Sequence, residues 1–469
     1  MLKRVLKSGT LLVSGTAGGQ LMVVIFSPVL TRLYVPEEFG VFGAYAAVLY
    51  MLLSCVSLRY EVAIPLAETD EDADYLAALA LSLTAIFSLL LFPVLWCVGF
   101  FYSPKYFWIF QYFLPLGAAA AGVYNVFMYM RLRSGDQKAI AKTRVTQLMV
   151  GTVIQIGCGF FRIGVAGLVV GQIIGLSFGL SRLTGFSFEK YLQLISRRDK
   201  LMEQARQRSG FAYYDAPAAL MAMANNHMAI LLTAVFFSPA FAGGYALAQR
   251  VIITPLGIVS SAISSSLISV GRDLKKSDHD DFFEKQEYLL LLITPVAVVC
   301  AILSMHFVGM IFGSKWEVSG AIAAWIVLFV GQKFVYDASF SMYAIQGRMQ
   351  EGLFSQVVVF IVRFAALIIS AKFISPVASI GVFSLVSSLV YLTLSHRMLG
   401  SSENTSYCSF ILSAADVVFP YMVVGVFLMQ DTVTWGPPTA LLLYFGWCFS
   451  RIGYSFFMST KKRRKEAQV

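Results

Sequence analysis

The chain has 469 residues, of which 58% are hydrophobic and only 13% charged, with a formal net charge of +10 and a mean hydropathy of +0.73. This composition leaves too little polar surface to cover a soluble globule of this length, so a soluble fold is excluded and a polytopic membrane protein is predicted. The six cysteines stand singly, without ligand-like spacing, and therefore indicate neither a structural metal nor a disulfide framework.

The amino terminus is basic and then apolar. Lys3, Arg4 and Lys7 precede an apolar stretch from about Leu11 to Leu30 that lacks a small-residue cleavage site, so we expect a retained first span. With roughly 20 residues for each crossing, the chain predicts an all-α protein of about fourteen transmembrane helices. Their centres fall near residues 20, 52, 86, 119, 153, 173, 222, 256, 298, 331, 363, 386, 420 and 447.

The distribution of lysine and arginine predicts the orientation. Basic loops resist translocation and therefore stay on the cytoplasmic side. If both termini are placed in the cytoplasm, the strongly basic connections all fall on that side as well. Of all the lysines and arginines, the predicted outer connections then contain only five: Arg32, Lys105, Arg162, Lys315 and Lys372. We therefore predict a multi-pass membrane protein with both termini inside.

The stretch "SLRYEVAIPLAETDEDADYL" carries charge toward the inner end of the second predicted span. Arg59 lies there about ten ångströms below the inner end, and it either snorkels inward or reaches a substrate at the cytoplasmic mouth. Arg59 and Glu61 are two apart and do not face each other while the segment is helical. Glu61 then needs another partner, a bound ion or a proton. The following acidic run, Glu68 to Asp74, is expected to keep a cytoplasmic loop solvated.

The longest connection is basic and has helical periodicity. Its segment "FEKYLQLISRRDKLMEQARQR" predicts either a helix that lies along the lipid headgroups or a solvated linker helix. We predict an amino-terminal bundle of six helices at 1–183, this cytoplasmic linker at 184–209, and a second six-helix bundle at 210–398. Two additional helices and a basic tail follow at 399–469.

A short motif recurs 203 residues apart. "PEEFGVF", from Pro36, and "PAFAGGY", from Pro239, share the pattern P-x3-G-x-[F/Y], and both lead into the second span of a six-span unit. This offset indicates parallel repeats related by an axis along the bilayer normal, an arrangement typical of transporters with the substrate at the repeat interface.

The first half of the second bundle carries further polar residues at membrane depth, where an ionisable group costs about 2.5 to 3.5 kcal/mol and tends to face a partner or a polar cavity. Asp215 and Asn226 are eleven apart and share a helical face; they indicate either interhelical hydrogen bonding or sugar recognition. Arg250 precedes Pro255, which should kink the helix. It either snorkels to the outer headgroups or lines a cavity.

Two later spans carry the remaining charges. Lys333 and Asp337 are four apart on one face and can pair; the pair is either a structural salt bridge or a cationic contact tuned by the carboxylate. Arg363 is about ten residues from either end of its span and has no acid nearby on its own helix. Snorkelling is difficult from that depth, so we expect Arg363 to face a cavity.

Several blocks resemble one known family in order and spacing. They include "VPEEFGVFGAY", "LRYEVAIPLAETDEDAD", "YMRLRSGDQKAIAKTRVTQ", "GLVVGQIIGLSFG" and "FFSPAFAGGYALAQRVIITPLG". Over roughly residues 8 to 395 the chain is similar to the bacterial polysaccharide flippases, the O-antigen and capsule repeat-unit translocases of the multidrug/oligosaccharidyl-lipid/polysaccharide exporter superfamily. The resemblance implies two six-helix bundles in a V around a central cavity, with two extra carboxy-terminal helices, in the bacterial cytoplasmic membrane. It also implies a substrate oligosaccharide on undecaprenyl pyrophosphate, passed from the inner to the outer leaflet.

The resulting functional hypothesis is alternating access through a cationic cavity. The predicted substrate contacts are Arg59, Asn226, Arg250, Lys333 and Arg363, and the predicted coupling or gating residues are Glu61, Asp215 and Asp337. Proton or sodium coupling through Glu61 or Asp337 is left open, and no other cofactor, metal or nucleic acid is expected. Other membrane proteins of polysaccharide assembly are candidate partners. The sequence contains no catalytic constellation, so an enzyme is not expected; the alternatives are a multidrug cation antiporter, a lipid II flippase and a membrane glycan polymerase.

Overall fold

The computed structural model describes residues 2–101, 104–180, 188–254, 276–340, 342–345, 348–399 and 407–428, with isolated positions between 256 and 264 and between 444 and 451. All regular structure in this part of the chain is helical, which confirms the all-α prediction. The chain divides into two compact units, Met1–Leu247 and Ala248–Val469. The bundle and linker boundaries at 183, 209 and 398 stay a prediction.

The first unit is built mainly from long helices. They are α1 (Leu2–Leu33), α2 (Pro36–Leu53), α3 (Tyr60–Ala63), α4 (Asp70–Phe101), α5 (Phe107–Arg133), α6 (Gln137–Phe160), α7 (Val165–Ser177), α8 (Phe188–Ser196), α9 (Arg198–Gln207), α10 (Ala216–Phe236) and α11 (Pro239–Ala248). Helix α6 packs against α1 and α7, α4 packs against α5, and α2 packs against α10. A π-helical turn, Phe211–Asp215, leads into α10.

The second unit begins with another π-helical turn, Gln249–Ile253. Its helices are α12 (Lys276–Phe312), α13 (Glu317–Ser339), α14 (Met342–Ile345), α15 (Met349–Phe373), α16 (Pro376–Leu399) and α17 (Tyr407–Leu428). Helix α13 is the centre of this unit, because it packs on both α12 and α16, and α16 also packs on α15.

Within the described residues, seven helices are long and apolar enough to cross a membrane, and three shorter apolar helices accompany them. The seven are Asp70–Phe101, Phe107–Arg133, Phe211–Phe236, Thr294–Phe312, Ser314–Ser339, Met349–Phe373 and Pro376–Ser395. A membrane-spanning helix needs about 20 apolar residues, so the chain is a multi-pass membrane protein. The predicted centres near 256 and 447 lie among the isolated described positions.

The predicted helix through the second span is wrong at its inner end. Helix α2 ends at Leu53, near the predicted centre at residue 52, and the chain then turns until α3 begins at Tyr60. Leu58 and Arg59 both have left-handed backbone conformations, with φ of 49° and 65°. A right-handed helix cannot pass through such residues, so Arg59 lies in a turn rather than on the predicted helix.

The acidic run has a structural role that the solvated-loop prediction missed. Asp70 and Asp72 lie in the first turn of α4, where carboxylates are favoured by the helix dipole. Thr69 caps this turn, because its Oγ1 accepts the Asp72 N–H at 3.0 Å. Arg133, at the end of α5, donates to Asp70 from Nε and Nη2 and to the Ala67 carbonyl at 2.6 Å. The run therefore joins α4 to the end of α5.

The same acidic run holds the linker helices α8 and α9. Lys190 Nζ of α8 lies 2.6 Å from Asp74 Oδ2, and Gln204 of α9 donates to Asp72 at 2.7 Å. Tyr191 packs edge-on against Phe127, and burial together with the nearby Asp74 carboxylate raises the pKa of Tyr191 to about 12. The linker thus packs against α4 and α5 through polar and aromatic contacts.

Reversing the charge of Asp74 should loosen this linker. In Asp74→Lys two lysines would face each other, so we expect faster cleavage of the linker by chymotrypsin in membrane vesicles. The pair is partly exposed and is worth at most about 1 kcal/mol, so the effect should be modest. Adding Lys190→Asp should restore the original rate. Glu71→Lys is the matched control, because Glu71 is exposed on the same turn; equal cleavage of both single variants would contradict the role given to Asp74.

The two copies of the repeated motif meet each other inside the first unit. Pro36 begins α2 and Pro239 begins α11, and each motif glycine lies one turn further along its helix. A Cβ atom built on Gly40 would lie 1.6 Å from the Pro239 carbonyl oxygen, and one on Gly243 would lie 1.9 Å from that of Pro36. The contact is reciprocal and leaves no room for a side chain on either glycine. This reciprocity supports the repeat inferred from the sequence.

Candidate functional site

The turn after α2 places Arg59 in an unusual backbone position. Arg59 has φ 65° and ψ 12° and directly precedes the short helix α3. A left-handed conformation costs a non-glycine residue about 1 to 2 kcal/mol, and here Leu58 adopts it as well. Such strain is retained where the surrounding structure over-determines it, often at functional sites. The backbone strain therefore marks this turn as a candidate functional site.

Arg59 forms an ion pair with a residue 156 positions away. Its Nε lies 2.8 Å from Asp215 Oδ2, and the two side chains are 26% and 43% exposed. Asp215 is the last residue of the π-helical turn before α10, and short π segments often occur at functional sites. The structure thus brings together two predicted site residues from separate elements, on a surface that remains accessible.

Glu61 completes this group. It is only 2% exposed and accepts a hydrogen bond from the Ser57 hydroxyl, four residues earlier in the turn. Both Arg59 and Asp215 are within electrostatic range of its carboxylate. We name Ser57, Arg59, Glu61 and Asp215 the Arg59 cluster. The partner of Glu61 is therefore the Ser57 hydroxyl, and Glu61 forms no direct ion pair with Arg59 among the described contacts. The sequence predicted this lack of pairing on the assumption of a continuous helix, whereas the backbone here is a turn.

Two further residues near this cluster were not identified from the sequence. Tyr129 of α5 lies within electrostatic range of Arg59, Glu61, Asp215 and also Arg144. Helix α6 begins at Gln137 and carries Arg144 two turns inside the helix. The helix start could have been located from Asp136, whose side chain caps α6 by accepting the Ala139 N–H.

In the second unit, Lys333 and Asp337 form the predicted pair. Lys333 Nζ lies 2.5 Å from Asp337 Oδ2 along α13, and the side chains are 13% and 31% exposed. The Lys333 ammonium also lies 5.9 Å from the centre of the Tyr391 ring on α16. The close pairing supports the structural interpretation of these two charges, and a tuned substrate contact stays a prediction.

Arg363 is enclosed by the second unit. It is 3% exposed, its Nε donates to Ser387 at 2.8 Å, and its Nη1 donates to the Tyr391 hydroxyl at 2.7 Å. Four aromatic rings surround the guanidinium with centroids between 4.9 and 5.7 Å away: Phe329, Phe364, Phe383 and Tyr391. In this conformation the described contacts make Arg363 a residue that holds α15 to α16 and α13. The sequence predicted that Arg363 faces a cavity. In the structure it does not, because aromatic side chains fill the space around its guanidinium.

The remaining predicted residues lie apart from these groups. Asn226 is exposed on α10, about 16 Å along the helix from Asp215 at 1.5 Å per residue. Its neighbour His227 stacks on the Tyr50 ring, with centroids 5.3 Å apart. Arg250 is half-buried in the π-helical turn that opens the second unit. Their substrate contacts stay predictions.

Arg451 and Asp416 form a further ion pair, which the sequence did not predict because 35 positions separate the two residues. Arg451 is 8% exposed and binds Asp416 of α17 with Nε at 3.0 Å and Nη2 at 2.7 Å from Oδ2. Trp447 also donates to Asp416 at 2.8 Å. This bidentate pair satisfies the charge with local donors, as expected for a packing contact.

Comparison with known proteins places these observations in context. Residues 29–321 match the family model described as "Polysaccharide biosynthesis protein". No curated protein sequence matches the chain significantly.

Solved transporter structures share the fold. The lipid II flippase MurJ in an inward closed conformation is 11% identical, with 97% of each chain covered and a TM-score of 0.56. An inward-facing multidrug resistance MATE family transporter of the MOP superfamily is 13% identical, with 83% of this chain and 96% of that chain covered and a TM-score of 0.57. A variant of the Vibrio cholerae MATE transporter VcmN is 14% identical, with 86% and 98% covered and a TM-score of 0.55.

Proposed function

The chain belongs to the polysaccharide biosynthesis protein family, and from this premise we propose that it is a flippase for a lipid-linked oligosaccharide. The substrate is a repeat unit of a surface polysaccharide, such as O-antigen or capsule, carried on undecaprenyl pyrophosphate. It moves from the inner to the outer leaflet of the bacterial cytoplasmic membrane, and both termini of the protein lie in the cytoplasm. The observation that carries the proposal is the family match together with an accessible arginine in a strained turn near the predicted cytoplasmic side.

Arg59 is chemically suited to the anionic part of this substrate. A guanidinium binds phosphate oxygens through paired, charge-assisted hydrogen bonds. Only its Nε–H engages Asp215 among the described contacts, and 26% of the side chain is exposed. An incoming pyrophosphate would meet Arg59 and would be repelled by the Asp215 carboxylate. Binding would therefore weaken the ion pair between the turn and α10.

This competition offers a way to couple binding to movement. Asp215 ends the π-helical turn that leads into α10, so loss of the ion pair frees the start of that helix from the turn after α2. The polyprenyl tail stays in the lipid while the head group passes between the moving helices, as in alternating access by internal repeats. If an ion gradient drives the cycle, Glu61 is the better candidate for proton or sodium coupling, because Asp337 is already paired with Lys333.

The test is genetic complementation at matched protein abundance. In cells that lack the protein we expect surface glycan to disappear and lipid-linked repeat units to accumulate on the inner leaflet. Arg59→Ala should restore at least tenfold less surface glycan than the wild type. Arg206→Ala should restore it fully, because Arg206 is exposed on α9.

The alternatives give different outcomes in the same cells. Unchanged surface glycan with greater sensitivity to cationic drugs would replace the proposal with a multidrug antiporter. Accumulation of lipid II would indicate a lipid II flippase. Intact repeat units on the outer leaflet that fail to polymerise would indicate a glycan polymerase.

Removing the Asp215 charge should separate binding from transport. In Asp215→Asn the arginine no longer has a carboxylate competitor, so we expect tighter binding of undecaprenyl pyrophosphate, by up to about fivefold, since an ion pair at a partly exposed site is worth up to about 1 kcal/mol. Export should fall, because binding no longer breaks a contact. The measurements are a titration of purified protein and the surface-glycan assay. Weaker binding in Asp215→Asn would contradict the competition.

A further inference from the structure

Arg144 is a half-buried cation with weak partners. Within the described part of the chain, its Nη2 lies 3.1 Å from the thioether sulfur of Met128, and its guanidinium lies 5.4 Å from the ring centroid of Tyr124. A thioether is a poor acceptor, and no carboxylate forms an ion pair with Arg144 among the described residues. Arginine presents five N–H donors, so most of its hydrogen-bonding capacity is uncommitted.

Tyr124, whose ring faces the Arg144 guanidinium, carries a hydroxyl that is also unsatisfied. Tyr124 is 2% exposed, and its hydroxyl has no hydrogen-bond partner among the described residues. A buried hydroxyl without a partner costs about 1 to 3 kcal/mol, so such groups are rare unless a ligand, ion or water completes them. A cation that lacks an oxygen acceptor and a buried hydroxyl that lacks a partner therefore lie next to each other.

Helix α5 carries Tyr124 and also Tyr129, five residues further along. Tyr129 lies within electrostatic range of both Arg59 and Arg144. The two arginines differ in their partners among the described residues, because Arg59 is held by Asp215 whereas Arg144 contacts a thioether sulfur and a ring face. A substrate anion can reach Arg144 without displacing a carboxylate.

We propose that Arg144 is a second oxyanion-binding residue of the flippase, next to the Arg59 cluster. This inference rests on the proposed function and extends it. The ligand chemistry is a phosphate or carboxylate oxygen, supplied either by the lipid pyrophosphate or by an acidic sugar. Tyr124 holds the guanidinium by a cation–π contact. Arg144 binds the anion first because it is uncommitted, and Arg59 engages it as Asp215 is released.

The experiment measures binding with the full-length protein in nanodiscs. The probe is undecaprenyl pyrophosphate without sugar, and undecaprenol serves as the tail-only control. We expect Arg144→Gln to weaken binding about tenfold, since a hydrogen bond to a charged group is lost. Arg144→Lys keeps the charge without the planar fork and should lose about threefold. Lys142→Gln, an exposed position on the same helix, should bind as the wild type does, and thermal unfolding checks that each variant is folded.

A second arm distinguishes the source of the anion. Free glucuronate competes with the lipid if the site accepts a sugar carboxylate. If Arg144→Gln weakens only the competition by glucuronate, Arg144 binds the sugar carboxylate. If Arg144→Gln weakens the binding of undecaprenyl pyrophosphate itself, Arg144 binds the pyrophosphate. Wild-type behaviour of Arg144→Gln in both arms overturns the proposal. That result would leave the proposed function intact as long as Arg59→Gln weakens binding; if the wild type fails to prefer undecaprenyl pyrophosphate over undecaprenol, the proposed function itself fails.

Discussion

Gly40→Ala should abolish export while leaving the protein in the membrane. The added Cβ would lie 1.6 Å from the Pro239 carbonyl oxygen, whereas carbon atoms in van der Waals contact are about 3.5 Å apart. The obstacle is backbone rather than a flexible side chain, so α2 and α11 must separate by nearly 2 Å. We expect at least a tenfold loss of surface glycan, because α2 and α11 could no longer pack closely against each other.

Cysteine labelling measures this separation directly. Ala242 is fully buried, so Ala242→Cys in a cysteine-free background should react slowly with a membrane-impermeant maleimide. Adding Gly40→Ala should make the reaction much faster. Gly157→Ala is the matched control, because Gly157 is also helical and has open space around its Cβ position. Unchanged labelling and full export in Gly40→Ala would show that the crossing tolerates a side chain.

Arg363→Ala should lower the stability of the protein rather than only its transport rate. Removal of this side chain leaves the hydroxyls of Ser387 and Tyr391 without their cationic donor and opens a void among four aromatic rings. Large-to-small substitutions in a packed core cost about 2 to 5 kcal/mol, and the lost hydrogen bonds add to this cost, so a loss of at least about 3 kcal/mol is expected. Thermal unfolding of the purified protein measures this loss.

Two variants make this test specific. Lys372→Ala, an exposed position on the same helix α15, should unfold at the wild-type temperature. Arg363→Lys retains a charge but not the fork that reaches both hydroxyls, so its loss should be intermediate. An Arg363→Ala protein with unchanged unfolding temperature and impaired export would instead support the direct substrate contact predicted from the sequence.

The helical class, the membrane location and most span positions could be predicted because apolar runs of about 20 residues have few other uses. The α2 terminus could not, since nothing in "CVSLRYEV" favours a left-handed turn: neither Leu58 nor Arg59 is a residue that commonly adopts positive φ. In the structure this turn accompanies the Arg59–Asp215 ion pair and the hydrogen bond from Ser57 to Glu61. Local propensity therefore gave the wrong backbone for the residue of greatest functional interest.

Ion pairs between residues distant in the sequence could not be predicted either. The i, i+4 spacing of Lys333 and Asp337 is visible in the sequence, whereas Arg59 and Asp215 are 156 residues apart and meet only through packing. Arg363 shows the opposite error. Among the described contacts its partners are hydroxyls on α16 and ring faces on α13, α15 and α16, and the spacing of acidic residues in the sequence gives no indication of them.

The reciprocal contact between Gly40 and Gly243 also has an evolutionary meaning. Each motif uses the same glycine to receive the proline carbonyl of the other, which is the isologous geometry of a two-fold homodimer. We infer that the contact first joined two copies of a shorter chain and became internal when the gene was duplicated and fused. A single-copy relative that contains one such motif and assembles as a parallel dimer through it would support this origin; a relative monomeric in the membrane would count against it.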